Sequence, residues 1–180
     1  LLSAGLDKRW RRRAVRALHL AGTERVLDMC TGTGDLAIEA ATATGGHAGE
    51  VVGIDFSAEM LRLALGKTRA AGLGGRVRFA RGDATMMPVP DTAFDAAAVA
   101  FGIRNVQDPE QACREFHRVL KPGGRLAILE FGSPQLPGLR AVYLWYFKRV
   151  LPLVGKLISR HSEAYPYLPA SVAEFPTGRA

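Results

Sequence analysis

The segment Val26-Leu27-Asp28-Met29-Cys30-Thr31-Gly32-Thr33-Gly34-Asp35-Leu36-Ala37 reads as a strand, a tight glycine turn and the start of a helix. Glycines in such a turn let a ligand approach the backbone, and the helix start offers unpaired N–H donors. Gly32, Gly34 and Ala37 satisfy the GxGxx(G/A) spacing, and Asp55 follows Gly34 by 21 residues, as in a dinucleotide fingerprint. Asp55 closes the run Val51-Val52-Gly53-Ile54-Asp55, where a carboxylate can accept hydrogen bonds from both hydroxyls of a ribose. That arrangement suits NAD and S-adenosylmethionine equally. A second acid, Asp83 in Arg81-Gly82-Asp83-Ala84, follows a third apolar run where a carboxylate and its neighbouring backbone can bracket an adenine edge. Arg104 and Asn105 follow a fourth run and could hold and orient an oxyanion; their bland alternatives are an ion pair with Glu110 or Glu115 and a turn-forming amide.

These residues need a frame, and the alternation of apolar runs with helical patterns predicts one: an α/β, Rossmann-like doubly wound parallel sheet. Helices are expected from Leu6 to Leu20 with a cap near Asp7, from Asp35 to Ala43, from the Ser57 cap to Ala71, and from Asp108-Pro109 to Leu120. Strands are expected at Arg25 to Met29, Val51 to Asp55, Val77 to Ala80, Phe94 to Ala100 and Leu126 to Glu130, with Lys121-Pro122-Gly123-Gly124 as the turn that ends the last helix. From Ser133 on, the pattern becomes helical and aromatic.

Composition narrows the field. At 180 residues, 48% hydrophobic and 23% charged, the chain is a globular domain and not a disordered segment. Two cysteines, Cys30 and Cys113, with no metal-ligand spacing, fit a reducing, cytoplasmic setting and give no metal site. The start lacks signal-peptide character and an initiator Met, so the ends are expected to be trimmed. The apolar stretch from Leu139 to Ile158 carries Arg140, Lys148, Arg149 and Lys156, too many charges for a spanning helix but suited to lying on an anionic membrane. The net charge of +7, with five arginines between Arg9 and Arg16, fits an anionic surface of either nucleic acid or lipid.

Taken in order, these elements resemble the class I S-adenosylmethionine-dependent methyltransferases. Phe101-Gly102-Ile103-Arg104-Asn105-Val106, Arg118-Val119-Leu120-Lys121-Pro122-Gly123-Gly124-Arg125 and Leu129-Glu130-Phe131 make the resemblance narrower. They are similar to the quinone C-methyltransferases of menaquinone and ubiquinone biosynthesis, as is the C-terminal stretch through Glu163-Ala164-Tyr165-Pro166-Tyr167-Leu168-Pro169. The resemblance implies one domain over residues 1–180, with sheet order 3-2-1-4-5 and a helical substrate-side part over residues 134–180. It also implies that the family's N-terminal lid and last two strands lie outside the chain.

The same resemblance implies S-adenosylmethionine as cofactor and S-adenosylhomocysteine as product. Thr33, Asp55, Asp83 and Ala84 would contact the cofactor, Gly32 and Gly34 would shape the loop, and Asp28, Phe56 and Ala100 would complete the pocket. Ala100 stands where the family often has a hydroxyl or amide residue. Arg104 and Asn105 would be the catalytic pair, and no metal is implied. The implied substrate is a polyprenyl quinol, demethylmenaquinol or a benzoquinol, with the aromatic segment Tyr143 to Phe147 lining a groove for its tail. The expectation is a cytoplasmic enzyme that touches the inner face of the membrane and forms a homodimer. An NAD-dependent oxidoreductase lacks a Tyr-x-x-x-Lys pair here, and a nucleic-acid methyltransferase lacks an Asn-Pro-Pro-Tyr-type motif, so neither that activity nor a nucleic-acid partner is expected.

Overall fold

The computed structural model describes residues 5–44 and 49–131. The chain divides into two compact units, Leu1–Glu130 and Phe131–Ala180. The expected helical segment over residues 134–180 lies outside the described residues, as do the aromatic groove and the basic residues beside it.

The first unit is a five-stranded parallel sheet in the expected order, β3-β2-β1-β4-β5. Its strands are β1 (Val26–Met29), β2 (Val51–Asp55), β3 (Val77–Arg81), β4 (Phe94–Ala100) and β5 (Leu120–Leu129). Central β1 is buried along its whole length, which is why its sequence shows no polar alternation. In β4 the run Ala96-Ala97-Ala98 is buried.

Among the described residues four helices cover the sheet: α1 (Leu6–Ala17), α2 (Asp35–Ala43), α3 (Ala58–Ala70) and α4 (Pro109–Val119), with a 3-10 turn at Ile103–Asn105. Val15 and Leu18 bring α1 into one core cluster with Leu36, Ala37, Ala40 and Ala41 of α2 and Val26, Val51 and Ala98 of the strands. Ser57 caps α3 by accepting from Met60 N–H, and Asp108 caps α4 by accepting from Gln111 N–H at 2.8 Å, with Pro109 at the first helical position. The expected cap of α1 is corrected. Gly5 occupies that position, and Asp7 sits in the first turn, where it pairs with Arg11 at 2.6 Å.

The last helix-to-strand junction also differs from expectation. The strand begins at Leu120, directly after α4, and Lys121-Pro122-Gly123-Gly124 lies within it rather than before it. Phe94 faces Leu120 while Ala96 faces Arg125, so those four residues stand opposite Asp95 alone. Gly123 takes φ +80° there, and a Cβ on Gly124 would lie 2.8 Å from the Lys121 carbonyl oxygen, so both glycines are needed for the bulge. A polar network holds the preceding loop: buried Glu115 accepts from Met87 N–H at 2.6 Å and pairs with Arg118, which also reaches Asp91 at 2.7 Å.

Candidate functional site

At the C-terminal ends of the parallel strands the chain leaves β1 toward one face of the sheet and β4 toward the other, which opens a crevice between them. Two residues in the left-handed region make this parting possible, Cys30 after β1 (φ 56°) and Phe101 after β4 (φ 59°). Gly102 is their counterpart, since a Cβ there would lie 2.3 Å from the Cys30 Cβ. The crevice is a cavity of about 700 Å³, within the range that holds a small ligand.

Asp55 organises its floor. One carboxylate oxygen accepts from Gly32 N–H at 2.8 Å and the other from Ser57 N–H at 2.9 Å, so the acid at the end of β2 ties the glycine turn to the cap of α3. Each oxygen retains a second lone pair for a ligand hydroxyl. Gly32 takes φ +54° with nothing within 4 Å of where a Cβ would stand, which leaves this stretch of backbone open to the cavity. Gly34 is constrained from the other side: at φ +79°, a Cβ would lie 3.0 Å from Ala64 Cβ and 3.1 Å from Phe79.

Asp28 is 2% exposed at the base of the cavity and accepts from the Thr31 hydroxyl at 2.5 Å. Burial pushes its carboxyl up to about 7, against the opposing hydrogen bonds from Thr31 and from Ala37 N–H, with the charges of Asp55 and Asp35 adding to the rise. Asp83 is held below the usual carboxylate range by the N–H and hydroxyl of Thr85, both 2.8 Å away. Burial pushes the Cys30 thiol up to about 12, reinforced by Asp55, Asp28, Asp83 and Glu130, so it is not a nucleophile at neutral pH.

The cavity thus gathers Asp28, Gly32, Asp55, Phe56, Asp83, Ala84, Ala100 and Asn105, each singled out in the sequence. Phe56 is 69% exposed, with the Arg81 guanidinium 5.4 Å over its ring, so it offers an aromatic surface to the opening. Three expected residues are not among the described lining. Gly34 lies behind the turn against α3. The Thr33 hydroxyl donates to Asp35 at 3.0 Å and accepts from Lys67 at 3.0 Å, which commits its side chain to that ion pair.

Arg104 is the third. Its Nη1 donates to the Phe101 carbonyl at 3.0 Å and pairs with Glu130, and the two side chains are 9% and 5% exposed. The ion pair considered from the sequence exists, but its partner is the carboxylate after β5 and neither Glu110 nor Glu115. The guanidinium thereby ties the left-handed residue after β4 to the end of the neighbouring strand. His117 is exposed on α4, and no cluster of metal-ligating side chains occurs among the described residues. Nor is any described helix long and apolar enough to cross a membrane.

One lining residue was not anticipated. Arg11, on α1, reaches the cavity wall from within a basic run that reads as a charged surface. Trp10 beside it meets Phe101 edge to face at 6.2 Å, which sets this end of α1 against the residue that follows β4.

The glycine turn, the acid after β2 and the acid after β3 converge at this one crevice, as nucleotide-type ligands require of such sheets. Among solved structures the chain is similar to an S-adenosylmethionine-dependent methyltransferase from Aquifex aeolicus, with TM-score 0.63 and 27% identity over 71% of this chain and 66% of that one. Among curated relatives it is 51% identical over its whole length to a demethylmenaquinone methyltransferase of Thermus thermophilus, spanning 80% of that protein. It is 48% identical over 98% of its length to a ubiquinone/menaquinone biosynthesis C-methyltransferase of Geobacter sp. strain M21, spanning 74% of that one. The sequence model of the ubiE/COQ5 methyltransferase family matches residues 1–180, and the chain belongs to that family.

Proposed function

We propose that this chain methylates a ring carbon of a polyprenyl quinol with S-adenosylmethionine as methyl donor, converting demethylmenaquinol to menaquinol. The observation that carries the reading is the acid-lined cavity at the parting of β1 and β4, in a chain of this family. The donor set fits the cofactor: Asp55, anchored by Gly32 and Ser57, would accept from the ribose hydroxyls, Asp83 and Ala84 would flank the base, and the acidic lining would favour its positive charge. In a protein of net charge +7, a pocket rich in carboxylates suits a sulfonium ligand. When bound, S-adenosylmethionine would supply an electrophilic methyl group to the ring carbon and leave as S-adenosylhomocysteine, and the hydrogen that carbon carried would be lost as a proton to solvent.

The protein's share is positioning and exclusion of water. Asn105, which lines the cavity, would orient the ring oxygen as its hydroxyl proton passes to solvent. Arg104, paired with Glu130 and bonded to the Phe101 carbonyl, fixes the turn that carries Asn105. The benzoquinol of ubiquinone biosynthesis has the same ionisable hydroxyl, and the relative from Geobacter is named for both pathways.

The deciding experiment is an anaerobic methyl-transfer assay with demethylmenaquinol and its oxidised quinone in parallel. Methylation of the quinol alone is expected, because only the reduced ring has the hydroxyl whose ionisation makes the carbon nucleophilic. Equal methylation of both refutes the mechanism.

A further inference from the structure

We infer that Arg11 of α1 is the anchor for the carboxylate of the cofactor's amino-acid tail, which makes α1 part of the binding site; the inference rests on the functional reading above. S-adenosylmethionine and S-adenosylhomocysteine carry an α-carboxylate as well as positive charge. The cavity is lined by the carboxylates of Asp28, Asp35, Asp55 and Asp83, and Arg11 is the one cation among its described lining residues. Among the side chains of such a pocket, that guanidinium is the one that attracts an anionic tail.

Position supports the assignment. Arg11 lies near the glycine turn, since its charge acts on Asp35, the first residue of α2. Burial works to raise the Asp35 carboxyl, but Lys67, the Thr33 hydroxyl and Arg11 together hold it below the usual range. The N–H groups at the start of α2 favour an anion at the same place. Lys67, 2.6 Å from Asp35, matches that carboxylate, so Arg11 is not required for it. Arg11 is also pre-oriented. Its Nη2 donates to Asp7 one turn earlier at 2.6 Å, and its side chain is 14% exposed, so little rotamer freedom is lost when a ligand docks. The remaining edge of the guanidinium fork can take a carboxylate in two parallel hydrogen bonds.

The test compares S-adenosylhomocysteine with 5′-methylthioadenosine, which keeps the adenosine and the sulfur but lacks the amino-acid tail. Calorimetry on the full chain should show Arg11→Met binding S-adenosylhomocysteine about tenfold to hundredfold more weakly, the scale of a lost charge-assisted hydrogen bond. Its affinity for methylthioadenosine should stay unchanged, and Arg11→Lys should recover part of the loss. Hydrogen exchange on the unaltered protein gives an independent reading: the tail-bearing ligand should protect the amides of α1, and methylthioadenosine should not. Undiminished affinity of Arg11→Met for S-adenosylhomocysteine, an equal loss for both ligands, or equal protection of α1 by both overturns the inference. Failure of the unaltered protein to bind either ligand refutes the functional reading itself.

Discussion

Replacing Asp28 by Asn should make the protein more stable, and by an amount that depends on pH. The side chain is 2% exposed, and its carboxyl lies at about 7 in the fold against an ordinary value of 3.8. Below pH 3.8 the group is protonated in both states and has no effect. As pH rises past that point the unfolded chain releases the proton and the native state keeps it, so stability falls until the folded carboxyl also ionises near pH 7; above that the loss is constant. One pKa unit is worth about 1.4 kcal/mol, so the full loss is about 4 kcal/mol, of which about 3 kcal/mol accrues between pH 5 and 8. Asn keeps an acceptor for the Thr31 hydroxyl and the shape of the site without ionising. Urea unfolding of both proteins at pH 5, 6, 7 and 8 isolates the effect, because other titrating groups cancel in the difference. A stability difference that grows with pH and levels off near 7 to 8 is expected. One that is flat over this range refutes the reasoning, since it would mean that the buried carboxyl ionises as easily in the fold as outside it.

Two further substitutions separate packing from binding. Gly34→Ala should destabilise the fold by about 2–4 kcal/mol in urea titrations, through left-handed strain and a new contact with Ala64 and Phe79, whereas Gly32→Ala, with open space around its Cβ, should cost about 1–2 kcal/mol. Arg104→Met removes the buried cation paired with Glu130 and should lower stability by about 3–5 kcal/mol, with S-adenosylhomocysteine affinity unchanged at a temperature where the variant is folded; undiminished stability would show that the pair does not hold the end of β4.

The parallel strands and the acids at their crevice were readable from sequence because each depends on local pattern, whereas the order of the strands came from the family resemblance. Buried parallel strands appear as short apolar runs, and the glycine turn and Asp55 declare themselves by spacing. What escaped depends on contacts between distant parts of the chain. Arg104 and Glu130 meet only because β4 and β5 are neighbours, so the nearby helix acids looked like the natural partners. Arg11 was hidden among other arginines, and only the packing of α1 distinguishes the one that faces the cavity. Thr33, which the family resemblance implies as a cofactor contact, shares its hydroxyl with Lys67 of α3 and Asp35, a pairing across distant elements that the sequence does not display.

The bulge at Lys121-Pro122-Gly123-Gly124 bears on how this chain tolerates insertions and deletions. Side chains on a strand alternate between faces, so losing one residue from the bulge and closing it normally would exchange the faces of every residue from Arg125 to Leu129. Arg125, whose Nη1 donates to the Leu18 carbonyl after α1, would then point away from that helix. The pair Gly123-Gly124 therefore acts as a length gauge. It converts the end of α4 into the correct phase of β5, and with it the placement of Glu130 behind the site. A motif of this kind can recur wherever the same sheet is built, whatever substrate the sheet serves.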